Sequence, residues 1–185
     1  LYSGGWSATV DASKFFYQFP TLVSERKYLG TIHPITGKHY RYRGLPMGSG
    51  NSPAIAGRFG AAFVRKLIAR CPEYQGVPTA NTWRSNAQGK LYDPRYGHGR
   101  VLISESDGLP AVIIWVHVDD FLIHGPTQEK TAQALSRFMD IALEVGLLCN
   151  PLKIEPPAQC VKYCGFLYGT AGVPTLKIPE GKRSK

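Results

Sequence analysis

Two adjacent acids, Asp119 and Asp120, follow a long apolar stretch of the sequence. The preceding segment 111–118, AVIIWVHV, is almost entirely hydrophobic, and the apolar pattern resumes at 121–123. Two carboxylates about 5 Å apart repel each other by about 3 kcal/mol at an effective dielectric near 20, before any cost of desolvation is counted. A sequence that places both acids beside a core strand therefore requires positive charge close to them.

A third acid, Asp11, ends a second short strand pattern, WSATVD at 6–11. Mg²⁺ prefers a few carboxylates together with waters and substrate phosphates. Two such ions held by three carboxylates form an arrangement that stabilises both the attacking and the leaving oxygen in phosphoryl transfer. A pair of adjacent Asp residues is common and usually lies in a surface turn, so the pair alone does not establish a metal site.

The elements that must position these acids begin with a predicted β-hairpin at 26–46, around the turn PITGK. Basic side chains at His39, Arg41 and Arg43 alternate there with Tyr40 and Tyr42. Such a hairpin can lie against a phosphate backbone or a base. A solvated edge strand over a packed tyrosine face is the alternative.

Two amphipathic helices are predicted. The first begins at Asn51 or Ser52 and ends before Pro72, and Gly60 within it indicates close packing of its backbone. The second lies within 127–147. The expected apolar faces are Ile55, Phe59, Phe63 and Leu67 in the first helix, and Leu135, Phe138, Met139, Ala142 and Val145 in the second.

The remaining segments predict short strands. Residues 99–120 indicate a second hairpin around SDGLP, and 147–169 supply further strands, whereas 72–100 is polar and lacks periodicity, as in an insertion. This order of elements predicts an α+β fold with an antiparallel sheet and helices packed on one face.

Composition restricts the function classes. The 185 residues carry a formal net charge of +9 with a pI near 9.5, which favours polyanionic partners such as nucleic acid, although a merely basic soluble protein is the alternative. No apolar run is long enough to span a membrane, so we expect no membrane partner. The cysteines lack zinc-site spacing and indicate free thiols in an intracellular compartment, cytoplasmic or nuclear: Cys71, Cys149, Cys160 and Cys164.

Five ordered blocks resemble the palm of retroelement reverse transcriptases: VDASKFFYQF (10–19), GLPMGSGNSPAIAGRF (44–59), VHVDDFLI (116–123), GLLCNPLKIEP (146–156) and VKYCGFLYG (161–169). The resemblance implies a polymerase palm with part of the fingers over 1–170, including the polar insertion at 72–100. It implies a basic tail at 171–185 that leads toward a missing thumb. Met47 stands where retroviral relatives carry glutamine, which favours a retrotransposon, DIRS-like or another LTR-type element.

The resemblance also implies the roles of individual residues. Asp11 and Asp119 would be the principal ligands of two Mg²⁺ ions, for which Mn²⁺ can substitute, with Asp120 completing the acidic set. The backbone carbonyl of Ala12 would add a metal ligand, and Lys153 would act as a catalytic residue near the leaving pyrophosphate. The other implied positions are Phe16, Met47 and Gly48 for the nucleotide, with Phe16 as a steric gate favouring dNTPs, and Arg41, Arg43, Pro53, Tyr163, Gly165 and Phe166 for template and primer.

The activity implied is RNA-directed DNA polymerisation, in which a primer 3′-hydroxyl on an RNA or DNA template attacks a dNTP. Two alternatives stay open: a reverse-transcriptase-like domain that binds nucleic acid without catalysis, and a fragment that is inactive because its fingers and thumb are missing. The sequence does not indicate an oligomeric state.

Overall fold

A computed structural model describes residues 3–70, 98–104 and 110–180. It shows an α+β arrangement in which an antiparallel sheet carries two helices on one face, as the sequence predicts. The elements are β1 (Trp6–Asp11), β2 (Gly30–Ile32), β3 (His39–Arg41), α1 (Ser52–Arg70), β4 (His98–Ser104), β5 (Pro110–His117), β6 (Asp120–Gly125), α2 (Gln128–Val145), β7 (Glu155–Ala158), β8 (Cys160–Tyr163), β9 (Phe166–Gly169) and β10 (Thr175–Lys177).

The main sheet has the order β4-β5-β6-β1-β7, and every neighbouring pair in it is antiparallel. In the central pair, β1 and β6 align from Trp6 opposite Gly125 to Asp11 opposite Asp120. Because the strands run in opposite directions, the last residue of β1 lies beside the first residue of β6. This register brings two distant acids to the same end of the sheet.

The main core lies between this sheet and the two helices. Ala8 and Val10 of β1 are fully or almost fully buried on the helical side. Phe138 of α2 packs on Phe63 of α1 and Phe121 of β6, with ring centroids 4.7 and 4.9 Å apart. Aromatic packing of this kind adds to the stabilisation that burial of apolar area provides.

Local chemistry defines both ends of α2. The Thr127 side chain caps the first turn by accepting a hydrogen bond from the backbone N–H of Lys130 at 3.2 Å. Gly146 ends the helix with φ of 73°, a conformation that glycine adopts without steric cost.

The predicted face of α1 is only partly correct. Ile55 is 37% exposed, whereas the neighbouring Ala56 is fully buried. The first half of the helix approaches the rest of the molecule through small residues: a Cβ added to Gly60 would lie 2.7 Å from Cγ1 of Val116 on β5. Small residues allow this close approach of the backbone, but they carry little hydrophobic signal. A search for large apolar side chains therefore misses such a face.

The opposite face of the main sheet is covered in part by a second sheet of order β10-β9-β8. Val161 and Tyr163 of β8 pack with Leu122 of β6 in a smaller core. The predicted hairpins at 26–46 and 99–120 correspond to β2-β3 and β4-β5.

The end of the predicted insertion, 72–100, overlaps the start of the hairpin predicted at 99–120. The structure assigns the shared residues 99–100 to the hairpin, in β4, which begins at His98 opposite His117. Pairing with an apolar partner strand stabilises this segment although its own sequence is polar. Residues 71–97 of the expected insertion, the SDGLP turn at 105–109 and the end of the basic tail at 181–185 lie outside the described residues.

Candidate active site

The three acids meet at one end of the main sheet. Asp11 and Asp120 are direct partners in the β1–β6 register, and Asp119 occupies the turn just before β6. The backbone N–H of Ala12 donates a hydrogen bond of 2.8 Å to the carbonyl of Asp119, which ties this turn to the end of β1. The fold thus gathers acids from two distant segments, as the block pattern implies.

The turn that carries Asp119 has an unusual backbone. Val118 has φ of 56°, in the left-handed region, although a β-branched side chain disfavours this conformation. Strain of this kind costs about 1–3 kcal/mol and persists only where the surrounding structure enforces it. Here the tight β5–β6 pairing, with His117 opposite Asp120, and the hydrogen bond from Ala12 enforce it.

The acids raise one another's affinity for positive charge. Burial raises the pKa of Asp120, and the nearby Asp119 and Asp11 carboxylates raise this pKa further, while His117 and Lys153 act in the opposite direction. The repulsion that the sequence predicts is therefore present in the fold, and a cation at this site relieves it.

Lys153 provides part of that positive charge. Its Nζ lies 2.9 Å from Oδ2 of Asp11, whose side chain is 17% exposed. The hydrogen bond to Asp11 and the charge of Asp11 raise the pKa of Lys153, so this lysine carries a full positive charge at neutral pH.

Lys153 is the last residue of a short 3₁₀ helix, Pro151–Lys153, which places its side chain beside Asp11. Asn150 caps it: the side-chain oxygen of Asn150 accepts from the N–H of Leu152 at 3.1 Å. The N–H of Asn150 in turn donates to the carbonyl of Asp11 at 2.9 Å. The lysine-bearing segment is therefore anchored to the end of the strand that carries the catalytic acid candidate.

A cleft of about 360 Å³ opens beside the acids. Five predicted site residues line it: Asp11, Asp120, Lys153, Tyr163 and Gly165. The other lining residues are Thr9, Val10, Leu152, Glu155, Lys162 and Cys164.

Of the six lining residues that the sequence analysis does not predict, Lys162 matters most for the charge of the cleft. Lys162 brings a second cation to the cleft, and it alternates with the buried Val161 and Tyr163 along β8. That alternation within the block VKYCGFLYG is the signal that could have identified it.

The β8–β9 turn is anchored to the acids. Cys164 and Gly165 both have positive φ, 48° and 82°, as expected for the two central residues of a tight hairpin turn. The Tyr163 hydroxyl donates to the Asp120 carbonyl at 3.4 Å, and the Cys164 thiol lies 3.9 Å from Oδ2 of Asp120. Burial raises the pKa of Cys164 to about 11, so its thiol is neutral.

The carboxylate oxygens of Asp11, Asp119 and Asp120 are ligands of the kind that a hard divalent cation prefers. Within the described ranges, no three His, Cys, Asp or Glu side chains converge into a metal site on their own, and one Asp11 oxygen is engaged by Lys153. Mg²⁺ commonly uses only one or two protein carboxylates and completes its shell with water and substrate phosphates. The half-buried, mutually repelling carboxylates fit that pattern.

The other predicted nucleotide and template residues are not brought into this cleft. Phe16 is half-buried in the 3₁₀ helix Phe15–Gln18, with its ring 6.1 Å from that of Phe15. None of the remaining predicted residues lines the described cleft. They are exposed positions in the region of the β2–β3 hairpin, the loop before α1, the first turn of α1 and the β8–β9 hairpin: Arg41, Arg43, Met47, Gly48, Pro53 and Phe166.

Comparisons with known proteins agree with the observed fold. The family described as reverse transcriptase (RNA-dependent DNA polymerase) matches residues 5–168. The chain therefore belongs to the reverse transcriptase family. None of the curated proteins matches it.

Solved structures of foamy viral protease-reverse transcriptases share the fold. One, in complex with an RNA/DNA hybrid, has a TM-score of 0.62 at 20% identity over 98% of this chain. Another, in complex with dsDNA, has a TM-score of 0.59 at 20% identity over 95% of it. The chain spans only 18% and 27% of those two proteins. No described helix combines the length and apolarity that crossing a membrane requires.

Proposed function

We propose that this chain is the catalytic palm of an RNA-directed DNA polymerase, which transfers a nucleotide from a dNTP to a primer 3′-hydroxyl. The observation that carries the proposal is the meeting of Asp11, Asp119 and Asp120 at one end of the sheet, beside a cleft lined by Lys153 and Lys162. Acids flanked by cations suit a substrate that combines phosphates with divalent ions.

Asp11 and Asp119 would hold two Mg²⁺ ions, with Asp120 and the carbonyl of Ala12 as further oxygen donors. When bound, such ions stabilise charge on the attacking and leaving oxygens of the phosphoryl transfer. The protein's own contribution is to hold the acids in place, through the β1–β6 register and the hydrogen bond from Ala12 to Asp119.

Lys153 would support the leaving pyrophosphate. It is fully charged and reaches the acid cleft on an anchored turn, so it can stabilise negative charge that develops there. Tyr163 and Gly165, at the cleft wall, would contact the primer end, with Phe166 beside them. Arg41 and Arg43, exposed on and next to β3, and Pro53 at the start of α1 would contact the template or primer.

The source we propose is an intracellular retrotransposon, DIRS-like or another LTR-type element. Met47, 69% exposed in the loop before α1, supports this assignment because an apolar side chain occupies a position where retroviral relatives carry glutamine. Gly48, with φ of 86°, lies in the same loop and would allow close approach of the nucleotide.

Phe16→Val should weaken the discrimination against ribonucleotides. The aromatic ring at Phe16 would fill the space that a ribose 2′-hydroxyl needs, and valine would leave that space open. We expect the ratio of dNTP to rNTP incorporation, measured as kcat/KM for each, to fall by about tenfold or more. Tyr17→Val, at an exposed position of the same 3₁₀ helix, is the matched control, and an unchanged ratio in Phe16→Val would contradict the gate assignment.

A second candidate is nucleic-acid binding without catalysis. The observation that favours it is the ion pair between Lys153 and Asp11, which satisfies one of the acids internally. Phosphate groups of a nucleic acid would then be bound by the Lys and Arg side chains that give the chain its net charge of +9.

Primer extension separates the two candidates. The chain, and a version extended by whatever flanking sequence its gene encodes, are incubated with an RNA template, a primer, dNTPs and Mg²⁺. Synthesis by either protein supports the polymerase proposal. Silence from both, with salt-sensitive binding of template–primer and an intact fold, would favour the binding module.

A further inference from the structure

The side-chain amide of Gln18 forms three hydrogen bonds to backbone groups close to the acids. Its Oε1 accepts from the N–H of Leu148 at 2.8 Å, and its Nε2 donates to the carbonyl of the same residue at 2.9 Å. The Nε2 also donates to the carbonyl of Ser13. A primary amide has one oxygen that accepts and two N–H hydrogens that donate. In Gln18 the oxygen and both hydrogens therefore each have a backbone partner.

These bonds join two segments that are far apart in sequence. Gln18 ends the 3₁₀ helix Phe15–Gln18, which follows Asp11 by a few residues. Leu148 begins the stretch that leads through Asn150 to Lys153. The N–H of Ser13 donates to the Leu148 carbonyl at 2.8 Å as well, so the backbone of Leu148 is held by both Ser13 and Gln18.

Packing alone does not hold this position. The Leu148 side chain is 65% exposed, and so contributes little apolar burial to the contact. The hydrogen bonds to its backbone, together with the pairing of Ala12 and Cys149, therefore fix where the segment leaves α2 and meets the end of β1. Because the lysine follows five residues later on a capped turn, its location depends on this attachment together with the hydrogen bond from the N–H of Asn150 to the carbonyl of Asp11.

We propose that Gln18 is a positioning residue that locks the 148–153 segment onto the end of β1 and thereby sets where Lys153 meets Asp11. The proposal rests on the proposed polymerase function for its catalytic consequence. We call the three hydrogen bonds from the Gln18 side chain to Ser13 and Leu148 the lock. It is a property of the fold, and its presence can be measured without an activity assay.

Gln18→Leu removes the donors and the acceptor at nearly constant volume. Gln159→Leu is the matched control, because Gln159 donates from its Nε2 to a backbone carbonyl, that of Gly4 at 3.0 Å, at a site outside the acid cleft. The first readout is amide hydrogen exchange of the full chain. We expect exchange at Leu148 to accelerate by about tenfold or more in Gln18→Leu, and to remain unchanged in Gln159→Leu.

The second readout is a double-mutant cycle on kcat for primer extension, in whichever protein supports synthesis. Gln18→Leu should lower kcat by about tenfold when Lys153 is present, and by less than about twofold in a Lys153→Ala background. A side chain that merely stabilises the fold would lower kcat equally in both backgrounds.

Two results would overturn the proposal. Unchanged exchange at Leu148 in Gln18→Leu would show that no lock exists. Accelerated exchange combined with equal losses of kcat in the two backgrounds would show that the lock does not act through Lys153. If the native protein makes no product, the polymerase function fails, and the exchange experiment still decides whether the lock is present.

Discussion

Asp119→Asn should lower primer extension by at least about a thousandfold, in whichever version of the protein supports synthesis. The amide keeps the size of the carboxylate but removes its charge, so it is a poor ligand for a hard cation such as Mg²⁺. The same substitution should not destabilise the fold, because Asp119 is one of the charges that raise the pKa of Asp120 through repulsion. Steady-state extension rates and urea denaturation without divalent ions measure the two effects.

Asp140→Asn provides the matched control. Asp140 lies on the exposed side of α2, and its substitution should change neither the extension rate nor the free energy of unfolding by more than about 0.5 kcal/mol. Extension that survives Asp119→Asn at near-native rate would contradict the polymerase assignment. A large loss of stability in that variant would instead show that Asp119 serves the fold.

The secondary structure could be predicted where the sequence is periodic. Helix α2 shows this best, because its apolar residues recur at helical spacing and Thr127 and Gly146 mark its ends. The small-residue face of α1 could not be predicted, because Ala56 and Gly60 carry little hydrophobic signal. The insertion of β1 between β6 and β7 depends on pairing between distant segments, which local patterns do not specify.

The acids of the site could be predicted from the order of their blocks, because each ends or begins a strand pattern. The contact of Lys153 with Asp11 could not, since it depends on the Asn150 cap and on hydrogen bonds between distant backbone groups. Gln18 was missed for a similar reason: a single amide in the aromatic segment FFYQF has no periodicity, and only its three partners show what it does.

Acid should destabilise the protein through His124, at the end of the β1–β6 ladder opposite the acids. This imidazole is fully buried, and its Nδ1 lies 2.8 Å from the Ser7 hydroxyl. Burial lowers the pKa of His124 from 6.5 to about 4, since the charged form loses its hydration. Between these two pH values the unfolded chain binds a proton that the folded chain does not.

The sign of the effect follows from that difference in proton binding. Because the pKa of His124 is lower in the folded chain than in the unfolded chain, this group does not reduce the free energy of unfolding above pH 6.5. It reduces the free energy of unfolding progressively as the pH falls toward 4. At 1.36 kcal/mol per pKa unit, the loss at pH 4 amounts to about 3 kcal/mol. Domains of this size are stable by only about 5–15 kcal/mol, so this one group accounts for a substantial part of the total.

His124→Gln isolates the contribution, because glutamine can still hydrogen-bond to Ser7 but does not titrate. The free energy of unfolding is measured by urea denaturation at pH 7.5 and again at pH 4. We expect its decrease between these two pH values to be smaller by about 3 kcal/mol in His124→Gln than in the native chain. Carboxylates such as Asp120 titrate in both proteins and cancel in this difference. His39→Gln, at an exposed position on β3, should behave like the native chain, and equal pH dependence in all three proteins would contradict the prediction. Ser7 pairs with His124 in the same antiparallel β1–β6 ladder that pairs Asp11 with Asp120. Loss of this buried contact would therefore loosen the strand pair that aligns the acids.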